Sequence, residues 1–127
     1  MKKEQIKKLA NVSIEKWKNR LGFSRWKINV KIVVFNRADG FPQQGDFCVD
    51  YSKRKATILI GATLKSSIEE IIVHELIHIM LWLIDQKMVS VIKRMPKNEQ
   101  KRAEDDFLGR LEKVVDCLTK SFLRIQK

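Results

Sequence analysis

Two prolines, two cysteines, two histidines, one tyrosine and five glycines are spread over 127 residues. With glycine and proline so sparse, there is no internal repeat or low-complexity segment, and length and composition fit one compact globular domain covering 1–127. Cys48 and Cys117 are far apart and fit no CxxC pattern, so a disulfide is not implied and both read as reduced thiols used as small hydrophobes. No apolar stretch is long enough for a membrane span. The most hydrophobic run, Ile71 to Ile84, is interrupted by His74, Glu75 and His78 and falls short of the roughly 20 apolar residues required. The opening MKKEQIKKLANVSIEKWKNRLG lacks the apolar middle of a secretory signal, so the expected setting is cytoplasmic.

Acidic residues are also in deficit. Against 26 Lys and Arg stand 15 Asp and Glu, a formal charge of +11 that produces a field attractive to nucleic acid or acidic proteins. The basic residues are dispersed and form no single block, so nucleic-acid binding has charge behind it but no motif.

The pattern predicts an α+β fold. Ile6, Leu9, Ala10, Ile14, Trp17 and Leu21 recur at three- and four-residue intervals, which predicts an amphipathic helix from Lys3 to Leu21 stopped at Gly22. Trp26 to Phe35 alternates through Ile28, Val30 and Ile32 and reads as a strand. Asn36 to Gly45 reads as loop, and Asp46 to Tyr51 and Ala56 to Gly61 as an antiparallel hairpin, giving a small, mostly antiparallel sheet of at least three strands. Ser66 and Ser67 stand at capping-box spacing from Glu69 and Glu70, and nothing breaks the helix from Ile68 to about Gln86. Lys87 to Pro96 reads as a connection with room for a helical turn, and a last helix runs from about Asn98 to Leu123 despite Gly109.

His74 and His78, the only histidines, are four residues apart on the central helix. One helical turn puts both imidazoles on one face, where they can reach one metal ion at about 2.0 to 2.1 Å. Glu75 projects beside them, where a carboxylate can take a proton from metal-bound water and return it to a leaving amine. Leaving two imidazoles and a carboxylate unbonded in so apolar a helix would cost several kcal/mol, a further reason to expect an ion.

Catalytic zinc usually has three protein ligands, and without a third histidine the remaining one is expected to be a carboxylate. Asp85 lies seven residues beyond His78, roughly 10 Å along the axis, and is too far. On the last helix, the stripe Phe107, Leu108, Leu111, Val114, Val115 and Leu118 projects backward to place Glu104 within about 20° of its centre, pointing inward.

His74-Glu75-x-x-His78 on one helix, with a glutamate on a later helix, resembles the gluzincin clan of zinc metallopeptidases. The layout of helix, three-stranded sheet, active-site helix and glutamate helix resembles its minimal members and the small metallopeptidase-like proteins of phages and mobile elements. The resemblance implies one zinc ion per chain held by His74, His78 and Glu104, with Glu75 as general base. It also implies that a peptide substrate adds to the sheet edge near Gly45 to Cys48. If the last helix begins later, Asp105 replaces Glu104. The metzincin pattern is excluded, since Leu81 and Ile84 occupy the positions of its glycine and third ligand. Tyr51, on the hairpin, is a poor candidate for oxyanion stabilisation, and Cys48 lies near enough to the expected cleft to be weighed as an inhibitory zinc ligand. The rival from another class is a zinc-stabilised binding module, catalytically weak or inactive, that holds nucleic acid or protein on a basic face.

Overall fold

The apolar stripe near the N-terminus forms helix α1, Lys3–Arg20, in the computed structural model, which describes residues 1–36 and 43–125. Ile6, Ala10, Ile14 and Trp17 are buried as the spacing predicts, but the buried face turns toward Ser13 and leaves Leu9 exposed. The helix ends where Gly22 adopts φ +83°, a left-handed conformation that a side chain would strain, and the Phe23 amide donates back to the Lys18 carbonyl at 2.7 Å. Phe23 and Trp26 then pack edge to face at 5.2 Å.

Three strands follow: β1 Lys27–Val33, β2 Gly45–Asp50 and β3 Lys55–Gly61. The centre of the expected loop, residues 37–42, lies outside the described residues. The hairpin of β2 and β3 is antiparallel as predicted, with Phe47 opposite Ile58 and Asp50 opposite Lys55. Asp50 shapes its turn by accepting bonds from the Ser52 hydroxyl and the Lys53 amide. The sheet as a whole is mixed rather than mostly antiparallel. Its order is β1-β3-β2, with β1 parallel to β3, so the chain leaving β1 reaches the far edge before returning to the centre. A turn signal marks a hairpin locally, whereas alternation along β1 carries no information about which strand it meets.

Ser67 caps the central helix α2, Ile68–Met80, by accepting the Glu70 amide at 3.1 Å. Helix α1 is tied to α2 through Glu69, which accepts from Trp17 Nε1 at 3.0 Å and pairs with Lys16 at 2.9 Å. Helix α3, Trp82–Lys93, occupies most of the stretch read as a connection, and α4 spans Lys97–Ile125. Only Leu81 separates α2 from α3. The bonds Leu81 N–H to Ile77 C=O (3.0 Å) and Asp85 N–H to Leu81 C=O (2.9 Å) carry the helical ladder across the break.

The chain forms two compact units, Met1–Leu76 and Ile77–Lys127. In the first, the buried side chains include Ile6, Ile14, Trp17, Val30, Ile58, Ile60 and Ile72. The second contains the α3–α4 hairpin, whose turn is fixed by Gln100 donating to the carbonyls of Met95 and Lys93. Among the described residues, no helix is long and apolar enough to cross a membrane.

One side chain fastens the edge strand to the start of α2. The Gln44 amide oxygen accepts from the backbone N–H groups of Lys65 (2.6 Å) and Ser66 (2.8 Å), while its own backbone carbonyl accepts from Gly61 at 2.8 Å. Gln44→Ala removes the first two bonds and leaves the third. Urea denaturation is expected to give a loss of about 1 kcal/mol, since the Ser66 donor is part-buried while that of exposed Lys65 can bond water instead.

Candidate metal centre

Helix α2 is apolar on almost every side: Ile71, Ile72, Val73, Leu76, Ile77 and Ile79 are all buried. His74 and His78 interrupt that surface one turn apart, both partly buried, and Glu75 lies beside them at 5% exposure. Among the described residues no buried side-chain nitrogen or oxygen lacks a hydrogen-bond partner.

In the second unit, the imidazole Nε2 of His78 and the carboxylate Oε1 of Glu112 are hydrogen-bonded at 2.7 Å. His74, His78 and Glu112 each offer one ligand atom, and these atoms lie within 4.8 Å of one another. Two ligands each about 2.1 Å from one ion can be at most about 4.2 Å apart, so small side-chain rotations suffice to gather all three. Two imidazole nitrogens and a carboxylate oxygen form a donor set suited to a borderline-soft divalent cation, with a coordination position left over. Glu112 is 52% exposed on its side chain against 12% for His78, so solvent reaches the group at the carboxylate.

The carboxylate grouped with the two histidines is therefore Glu112, whereas Glu104 is exposed on α4 outside that group. Glu104 stands eight residues before Glu112, about 12 Å along the helix. Projection around a helix gives a direction but no height along the axis. The height follows from the α3–α4 hairpin: His78 and Glu112 each stand seventeen residues from Met95 at its turn, so two antiparallel helices bring them level. By the same count Glu104 is level with Gln86. Reading Lys87 to Pro96 as a connection hid this symmetry; a helix continued to Lys93 would have pointed to Glu112. The stripe itself is also displaced from the predicted one. Val115 and Thr119 are the buried residues of α4, while Leu108 and Val114 are exposed.

The other candidates fall elsewhere. Asp105 is exposed and pairs with Lys101 at 4.0 Å, and Asp106 bonds Arg110 at 3.0 Å. Cys48 is exposed on the face of β2 opposite Gly45 and Phe47, away from the side that meets α2. Tyr51 packs on Trp26 at 5.2 Å, at the end of β2 remote from Gly45 and about 20 Å from it along the strand.

Gly45, at the start of the edge strand, lies directly against α2. A Cβ built on it would stand 2.9 Å from Ile71 Cγ2 and 3.0 Å from Glu75 Oε1. Sequence reading placed the edge near the site but missed this contact, because glycine in a strand registers only as a weak position.

No protein-family model, curated protein or solved structure matches this chain.

Burial raises the Asp85 carboxyl above its ordinary value of 3.8, with His78 partly offsetting the shift. A raised folded-state value means that the unfolded chain holds fewer protons between the two pKa values, so stability falls as pH rises through that window. Asp85→Asn removes the penalty. In chelator-treated protein it is expected to raise the urea midpoint at pH 7 by an amount worth less than about 1 kcal/mol, given solvent screening. That gain should vanish by about pH 3, where Asp85 is protonated in both states.

Proposed function

We propose that this chain is a zinc-dependent metallopeptidase of gluzincin type, with His74, His78 and Glu112 as ligands and Glu75 as general base. The observation that carries the reading is the grouping of Glu112 with the histidine pair of a His-Glu-x-x-His helix. Glu112 takes the role that the resemblance assigned to Glu104. A bound zinc ion would supply a water of pKa near 7 and polarise the scissile carbonyl.

The chain's own residues supply the rest. His74 and His78 present two imidazoles from one turn of a buried helix, so their spacing is set by the backbone. Glu112 adds one negative charge, which leaves the site net positive with a divalent ion and suited to a developing oxyanion. Glu75 is held in a largely dry environment and takes the proton of the attacking water, then delivers it to the leaving amine. Strand β2, an edge of the sheet, offers backbone to an extended peptide. Gln44 is bonded to Gly61 across the β2–β3 ladder, so the N–H and C=O groups of Gly45 and Phe47 point away from β3 along that edge, where an added strand would displace the bonds from Gln43 Nε2 to the Gly45 carbonyl and from the Phe47 N–H to Asp46 Oδ1.

Purified protein reconstituted with zinc is expected to hold about one ion per chain by atomic absorption. His78→Ala should abolish tight binding. Glu112→Ala should weaken it by about 10- to 1000-fold, and Glu104→Ala should leave it unchanged. Glu75→Gln should keep the ion and reduce cleavage of a peptide library by at least about 100-fold. Zinc retained with no cleavage by the wild type would instead favour the binding module, and salt-dependent association with DNA would identify its ligand.

A further inference from the structure

We infer that Gly45 is a positioning residue for Glu75: the missing side chain at 45 is what lets the buried carboxylate occupy its place. The inference rests on the reading of Glu75 as proton carrier, and it assigns a role to a residue outside the histidine-glutamate motif.

Backbone conformation does not explain a glycine here. Gly45 is the first residue of an extended strand and is not among the positive-φ positions, so alanine could adopt the same dihedral angles. Space explains it. The Cβ of an alanine would meet Glu75 Oε1 at 3.0 Å and Glu75 Cδ at 3.4 Å, besides Ile71 Cγ2 at 2.9 Å. Something must yield, and the backbone on both sides is fastened. Gln44 is bonded through its main chain to Gly61 and through its side chain to Lys65 and Ser66 just ahead of α2. Gln43 Nε2 donates to the Gly45 carbonyl at 3.1 Å. On the opposing side, α2 is buried along its length. The atoms a Cβ would press on belong to the Ile71 side chain and the Glu75 carboxylate, and the carboxylate is the one whose position matters for proton transfer.

The contact also sets a distance. Gly45 lies on the edge strand, and Glu75 Oε1 stands 3.0 Å from where its Cβ would be, so a peptide lying on that edge would be set close to the proton carrier. A larger residue at 45 would alter that spacing even if the carboxylate stayed in place.

The test uses full-length zinc-loaded protein and four forms: wild type, Gly45→Ala, Glu75→Ala and the double variant. Gly45→Ala is expected to keep one zinc per chain and to lower kcat for peptide cleavage by about 10- to 100-fold, as a misplacement near 1 Å does. KM should stay within about threefold. Thermal midpoints close the cycle: Gly45→Ala should lower Tm in the wild type and lower it clearly less in the Glu75→Ala background. An equal Tm loss in both backgrounds would place the clash on Ile71 alone and overturn the inference, as would an unchanged kcat in Gly45→Ala. Should the zinc-loaded wild type cleave no peptide, the peptidase reading fails on its own, and the thermal cycle still decides whether the 45–75 contact exists.

Discussion

A helix as apolar as α2 can be buried on nearly all sides only if the polar groups within its buried stretch are bonded. Between Ile71 and Ile79, His74, Glu75 and His78 break a surface otherwise made of isoleucine, valine and leucine, and each would cost several kcal/mol if buried without a partner. Among the described residues no buried side-chain nitrogen or oxygen is left without a partner. The α3–α4 hairpin returns a carboxylate to His78, and the edge strand approaches Glu75 through a residue with no side chain.

The two supports differ in kind. Glu112 reaches His78 because the two stand equally far in sequence from the turn at Met95, an arrangement that depends on the hydrogen bonds that join α2 to α3 through Leu81 and on a turn held by Gln100. Gly45 reaches Glu75 because Gln44 bonds simultaneously to the end of β3 and to the residues that precede α2. The first arrangement places a carboxylate beside an imidazole; the second brings the edge strand against the Glu75 carboxylate. Neither relies on a long loop, which suits a chain too short to build a deep pocket.

Much of this was legible in the sequence, for local reasons. Amphipathic spacing marks α1 and α4, an apolar run with nothing to break it marks α2, the β2–β3 hairpin has its turn between two alternating runs, and Ser67 caps α2 as its spacing from Glu70 suggests. The His-Glu-x-x-His geometry is local as well, fixed by one helical turn. Non-local relations were not legible. The parallel pairing of β1 with β3 leaves no trace in the alternation of either strand, and the choice of Glu112 over Glu104 depends on height along α4, which follows from the length of α3. Lys87 to Lys93 is helical despite reading as a connection, and that one misreading moved the expected carboxylate by two turns. The contact of Gly45 with Glu75 is of the same type, since tertiary approach alone gives that glycine its purpose.

The most direct measurement is a crystal structure of the protein loaded with one equivalent of zinc, with anomalous data collected at the zinc edge. A single peak within bonding distance, about 2.0 to 2.2 Å, of both imidazoles and the Glu112 carboxylate is the predicted result. A peak that engages Glu104 instead, a peak away from α2, or no bound zinc at all would contradict it.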